Sequence, residues 1–301
     1  MSEVQRILIT GASGLIGSRL TRALEASGHT VLQAVRREAR SDREVRWIPE
    51  RGEIEKNKLE GIDGVVHLAG ANIAGQRWSD SYKQEIRESR VKGTRLISET
   101  IAALDRKPRV FACSSAIGYY GDRGDAVLDE SSAPGDGFLP DVCIAWEQSC
   151  DAARNAGIRT VCMRTGVVLS TEGGALKSML LPFKLGAGGV IGSGKQYFSW
   201  IELDDIVSAM QFILANDSLN GPVNLVGPNP VTNREYTKTL GKVLGRPTIL
   251  PMPSFAARLA LGEMADELLL ASTRVVPREM ERAGFQFAYP QLEPALRHVL
   301  Q

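Results

Sequence analysis

Thr10-Gly11-Ala12-Ser13-Gly14-Leu15-Ile16-Gly17 is the stretch whose reading decides the fold. It follows a short β-prone run, Arg6 to Thr10, and opens an amphipathic one, Leu15 to Ala26. In that setting Gly11 permits a tight turn, Gly14 lets the backbone approach a pyrophosphate, and Gly17 allows close helix packing. Ala12, Ser13, Leu15 and Ile16 complete a loop and helix N-terminus whose free amides face the anion. Three spaced glycines alone are a weak signal. A strand before them, a helix after them and a second strand ending about twenty residues later make the signal strong.

The second strand, Thr30 to Val35, runs into Val35-Arg36-Arg37, with Arg40 close behind. A site that reads the 2′-hydroxyl of NAD places an acid there. A guanidinium would instead pair bidentately with a 2′-phosphate, so Arg36 predicts NADP(H). The competing reading is a solvated basic loop. Further along, Val65 to Asn72 reads as a buried strand that ends in small residues, which leaves room for adenine and ribose. His67, inside that strand, reads as a satisfied core histidine.

Strand-like runs (Arg6 to Thr10, Thr30 to Val35, Gly64 to Leu68, Arg109 to Cys113, Thr160 to Val168) alternate with helical ones (Leu15 to Ala26, Ser81 to Leu104, Asp141 to Asn155). This order predicts an α/β fold, a doubly wound parallel Rossmann sheet with a smaller C-terminal substrate lobe. The texture turns Gly-rich and Pro-punctuated after Ser170. The expected division is therefore an NADP(H)-binding domain over 1–170 and a substrate lobe over 171–301, with a segment near 200–226 returning to the first domain. In the lobe, a helix begins at Asp204 or Asp205, which read as N-caps, a short strand covers Val223 to Val226, and a helix covers Asn233 to Leu244.

The chain has 301 residues, 43% of them hydrophobic and 24% charged, with a formal net charge of +1. That composition can bury a sizeable core. Without a block of like charge, it points to a small-molecule partner and away from nucleic acid or membrane. Cys113, Cys143, Cys150 and Cys162 include no C-x-x-C pair, so no metal or redox site is expected and the thiols read as reduced, in a cytoplasm. No signal architecture and no membrane-spanning apolar run is present.

With these motifs in hand, the chain resembles the extended short-chain dehydrogenase/reductase superfamily of nucleotide-sugar epimerases and dehydratases. Within it, the chain is most similar to the atypical SDR39U1-like branch of epimerase family proteins. The TGASGLIG loop, HLAGANI at 67–73, SRVKGT at 89–94, CSSAIGYYG at 113–121, VCIAWE at 142–147, RTGVVLS at 164–170 and the long run from Leu180 to Asp205 carry the resemblance, and NLVGPNPVTNREY at 224–236 extends it. It implies that Leu68 and Ala69 lie against the adenosine half of the cofactor, that Val168 lies beside the nicotinamide half, and that Glu85 and Arg90 belong to the cofactor site. It also implies a tendency to form a homodimer through the long helices.

The superfamily's chemistry uses a Ser or Thr, a Tyr and a Lys four residues later, whose ammonium lowers the phenol's pKa. Here Ala116 falls at the hydroxyl position, after Ser114 and Ser115, and the Tyr-x-x-x-Lys register falls on Cys143 and Glu147, or one residue earlier on Val142 and Trp146. Cys143 could give a proton, although a carboxylate beside it would raise its pKa. A helical spacing of seven also makes Cys143 and Cys150 a core-facing stripe. Tyr119 or Tyr120 could serve as the donor, and Tyr120 could equally pack structurally. Lys195 to Trp200 reads as a substrate-facing loop or as an aromatic anchor at Phe198 and Trp200, and Asn224 as a turn-former. The expected function is an NADP(H)-dependent oxidoreductase or nucleotide-sugar-epimerase-like enzyme acting on a small carbonyl or alcohol without the usual triad. The rival is an idle NADP(H)-binding sensor.

Overall fold

The computed structural model describes residues 5–301. Eight strands form one sheet in the spatial order Gly221–Leu225, Arg159–Thr165, Val110–Ala116, Gly64–His67, Arg6–Thr10, Thr30–Val35, Glu44–Ile48, Glu53–Ile54. Neighbours run parallel except for the last pair. Strand order reverses between Arg6–Thr10 and Gly64–His67, so the crevice beyond their carboxyl ends is the natural ligand position. Ile7, Leu8, Ile9, Val65 and Val66 are fully buried because helices cover both faces. Leu20 and Leu24 of helix Leu15–Ala26 pack with Ile206, Met210 and Ile213 of helix Leu203–Ala215 on one face. On the other, Ile97 and Ile101 of helix Asp80–Ala102 pack with Trp146 and Cys150.

The structure departs from the sequence reading where backbone continuity was assumed. The run from Asp141 to Asn155 is two helices, Phe138–Gln148 and Asp151–Asn155, parted at Ser149 and Cys150. Thr160 to Val168 is likewise broken: Arg159–Thr165 stays in the main sheet, while Val167–Leu169 pairs with Trp200–Glu202. Gly166 makes the switch, and a Cβ there would lie 2.7 Å from the Ser199 carbonyl oxygen. Strand Glu44–Ile48 follows the arginine-rich loop, and helix Gly174–Lys184 lies in the Gly-rich stretch after Ser170, where the sequence reading placed no element. Helix Leu203–Ala215 is capped by Glu202, whose carboxylate accepts from the Asp204 and Asp205 amides, so those two aspartates are not the caps. Asn224 sits in strand Gly221–Leu225 rather than in a turn: its Oδ1 accepts from the Tyr120 hydroxyl and its Nδ2 donates to Val276 O.

The remaining chain builds a second cluster around Trp200, Tyr236 and Leu240, with helix Asn233–Leu244 held at its start by a Thr232/Glu235 capping box. Phe198 and Tyr236 have ring centroids 4.5 Å apart, and Trp200 donates to Asn229 O.

His67 is the buried core histidine that its strand position predicts, but only half satisfied: its Nε2 is buried without a hydrogen-bond partner among the described residues. Its Nδ1 lies 2.7 Å from Thr10 Oγ1, its ring meets Trp47 edge-on, and burial pushes its pKa down to about 3. Below the unfolded-state value of 6.5 only the unfolded chain takes up this proton, so its contribution to stability is lost as pH falls from 6.5 towards 3. Within that window it amounts to roughly 1.4 kcal/mol per pH unit. Urea unfolding across that range should therefore be distinctly flatter for His67→Gln than for the unmodified chain.

Candidate functional site

The carboxyl ends of the strands at the switch point open onto a cleft of about 880 Å³. Gly11, Ala12, Ser13 and Gly14 form its floor; Arg36 and Arg37 stand on one side, and Leu68, Ala69 and Glu85 on the other. Gly11 has φ +70°, and a Cβ there would lie 3.0 Å from the Ala69 amide nitrogen, so the loop and the third buried strand approach too closely for a side chain. A Cβ on Gly17 would sit 2.2 Å from the Gly11 carbonyl oxygen. Thr10 Oγ1 accepts from the Leu68 and Ala69 amides and fixes that approach. Helix Leu15–Ala26 starts at Gly14 with no side-chain cap, which leaves its first amides available to an anion. A backbone cradle with no room for side chains fits the pyrophosphate of a dinucleotide.

The two arginines after the second strand have different roles. Arg37 holds Glu44 through two hydrogen bonds of 2.8 and 2.5 Å, and this contact, with the Arg40 amide, pulls the carboxyl down to about 2. Arg36 is exposed on the same wall and, among the described residues, has no hydrogen-bond or ion-pair partner. One guanidinium neutralises the local carboxylate, and the other remains available for a ligand.

Beyond the glycine loop the cleft continues into a space of about 380 Å³ lined by Leu15, Ile16, Gly17, Ser114 and Val168. A deeper cavity of about 250 Å³ runs from Ala116, Cys143 and Val167 to Phe198, Glu267 and Leu269. Arg90 stands between the large cleft and this cavity. Its side chain packs against Gly70, its Nη1 donates to Ile86 O, and its guanidinium lies 5.0 Å from the Trp146 ring centre. Burial lowers its pKa, and no carboxylate pairs with it among the described residues.

Cys143 hydrogen-bonds to the Ala116 carbonyl, and burial, with Glu147 nearby, pushes its thiol up to about 12. Glu147 holds Arg164 in a bidentate pair of 2.8 and 2.9 Å and accepts from Ser115 at 2.7 Å. Arg164 in turn donates to the Tyr120 hydroxyl, so Glu147, one of the two positions that the resemblance offers for the lysine, is taken up in a closed ion pair. Tyr120 is fully buried, whereas Tyr119 lies with its ring 3.5 Å from the Arg164 guanidinium carbon and outside the cavity wall.

The structure thus gathers Gly11 to Gly14, Arg36, Leu68, Ala69 and Glu85 around the large cleft. It sets Leu15, Ile16, Gly17 and Val168 around its extension, and Arg90 and Cys143 around the cavity. Tyr119 stands apart. Lys195 is exposed, while Gln196 to Ser199 line the cavity. Sequence reasoning missed Glu267, the one carboxyl in that wall; it lies on the irregular turn Asp266–Leu270, far from every motif. Burial raises its pKa, against the opposing pull of the Leu139 and Phe138 amides.

Residues 7–227 match the model of the NAD dependent epimerase/dehydratase family. The chain belongs to that family. Residues 252–299 match a domain of unknown function, DUF1731. Relatives of this epimerase/dehydratase-family chain include the epimerase family protein Mb2239 of Mycobacterium bovis, 48% identical over 96% of each chain. Another is YfhF of Bacillus subtilis, 37% identical over 98% of this chain and 97% of the relative. The crystal structure of human epimerase family protein SDR39U1 (isoform 2) with NADPH superposes with a TM-score of 0.89 at 34% identity over 98% of each chain. UDP-glucose 4-epimerase of Thermotoga maritima, at 19% identity and a TM-score of 0.78, shares the fold.

Proposed function

We propose that this chain is an NADP(H)-dependent oxidoreductase acting on a small, mainly apolar carbonyl or alcohol compound in the cavity beside Cys143. The cavity itself is the observation that carries this reading. Its wall is largely apolar, it holds about 250 Å³, and it offers Arg90 as the only cation and Glu267 as the only carboxyl. A nucleoside diphosphate would need several cations and more room, and it would meet Glu267 at the far end. The unpaired Arg36 supports the 2′-phosphorylated form of the cofactor, as does the NADPH held by the human relative.

Held by the Gly11–Gly14 cradle and Arg36, NADPH would supply a hydride for reduction of a carbonyl carbon. Cys143 stays protonated at neutral pH and gives its proton to the developing alkoxide, a much stronger base than a thiolate. Arg90 nearby favours the thiolate that results, because its charge acts in a water-poor space. Leu139, Phe198 and Trp146 give that space apolar walls. Glu147 moves no proton; it holds Arg164.

Cys143→Ala should lower kcat by about 10²-fold with NADPH affinity unchanged, and Tyr119→Phe should leave kcat as it is. The assay is NADPH oxidation against small aldehydes and ketones on one side and UDP-sugars on the other. Turnover confined to UDP-sugars would overturn the proposed substrate class. Tight NADPH binding without any turnover would favour the second reading, an idle NADP(H) sensor, which the closed Glu147–Arg164 pair at the lysine register supports.

A further inference from the structure

The net charge of +1 conceals a segregation. Residues 173–201 contain Lys177, Lys184 and Lys195 and no Asp or Glu; residues 236–262 contain Lys238, Lys242, Arg246 and Arg258 and again no acid. These same two segments carry nearly all the large apolar side chains left in solvent. Leu185 is 74% exposed, Ile249 75%, Phe255 72% and Leu259 77%, with Leu181 and Leu250 also exposed.

The two segments are adjacent. Met252 donates its amide to Val190 O and accepts from the Gly192 amide, and Gly186 lies against Pro247. On helix Gly174–Lys184 the inward side is already apolar, with Leu176, Leu180 and Phe183 buried. Its outward stripe holds Lys177, Leu181 and Lys184, with Leu185 just past its end, all within about one quadrant at 3.6 residues per turn. Helix Ser254–Leu261 repeats the arrangement: Ala257 is buried, while Phe255, Arg258 and Leu259 share the outer side. A helix that is apolar inside and out is covered by something.

A second copy of this chain is a poor cover, because a two-fold interface would set these cations against their own counterparts. An anionic lipid surface suits both features, with apolar side chains entering the acyl boundary and ammonium groups resting on the phosphates. We propose that this face docks the protein peripherally on anionic membranes. Arg258 and Lys242 already have carboxylate partners, Asp266 and Glu293; Lys177, Lys184 and Arg246 have none among the described residues and supply the attraction. The loop that carries the face also joins the cavity: Gln196 Nε2 donates to Ile191 O and to Leu269 O. Docking therefore brings the lipid boundary beside the cavity wall.

The test is flotation of the full chain with vesicles of phosphatidylcholine alone and with added phosphatidylglycerol. The expected result is capture by the anionic vesicles, weakened by salt, with at least about tenfold less on the neutral ones. Lys177→Glu with Lys184→Glu, and separately Phe255→Ser with Leu259→Ser, should each reduce capture about tenfold while NADPH affinity and circular dichroism stay unchanged. Equal capture by both vesicle types, no capture, or capture indifferent to both variants would overturn the proposal. So would a stable dimer in which these residues are protected from solvent.

Discussion

Glu147→Ala is expected to lower the unfolding free energy by about 3–5 kcal/mol, because it leaves Arg164 charged and enclosed without its partner. Only 4% of the Arg164 side chain and 13% of the Glu147 side chain reach solvent. Burial opposes the charge on Arg164, and the Glu147 carboxylate and Tyr120 hydroxyl outweigh it, so its pKa stays above the ordinary arginine value. Removing the carboxylate strands Ser115 as well and unsettles the Tyr120–Asn224 contact that ties the helical turn Ile117–Tyr120 to the edge strand. For a chain of this length the melting temperature should drop by about 5–8 °C. Glu147→Gln keeps an acceptor for the guanidinium and should fall between the two. A near-native melting curve for Glu147→Ala would mean that the pair is solvated and would remove the reason for reading Glu147 as structural.

Arg36→Ala is expected to weaken NADPH binding by about 10–100-fold, the range for a charge-assisted contact to phosphate, and to leave NADH binding nearly unchanged. The asymmetry is the informative part. A phosphate contact is lost only by the ligand that carries the phosphate, whereas damage to the glycine cradle would weaken both. Arg37→Ala should act differently: it frees Glu44 beside the same wall, so an uncompensated carboxylate would repel the 2′-phosphate while Arg36 remains. Isothermal titration with the two dinucleotides separates these outcomes.

The parts of this fold that were legible in the sequence are those in which local chemistry fixes the backbone. The glycine loop, the helix behind it and the buried strand through His67 follow from residues that tolerate few alternatives. The place of Arg36 on the wall of the large cleft was legible for the same reason, since the chain leaves the second strand at its carboxyl end. The breaks at Ser149–Cys150 and at Gly166 were not legible, because helical and strand propensity run through both and tertiary packing decides: Gly166 turns away so that its backbone can meet Ser199. Glu202 was hidden as a cap behind two aspartates that looked better suited. One of them, Asp204, pairs with Arg19 and His298, and the other, Asp205, accepts from the Ala288 and Tyr289 amides.

The cavity was harder still to foresee. Its walls come from Ala116, Cys143, Tyr197 and Glu267, four stretches that no spacing connects. Cys143 could be placed there only by register. Glu267 carried no signal at all.

A crystal structure of the chain with NADPH is the most direct test of the account. It should show the 2′-phosphate within hydrogen-bond reach of Arg36, the pyrophosphate on the amides after Gly14, and the nicotinamide opening onto the cavity beside Ala116 and Cys143. A 2′-phosphate held elsewhere, or a nicotinamide face sealed from that cavity by side chains, would contradict it.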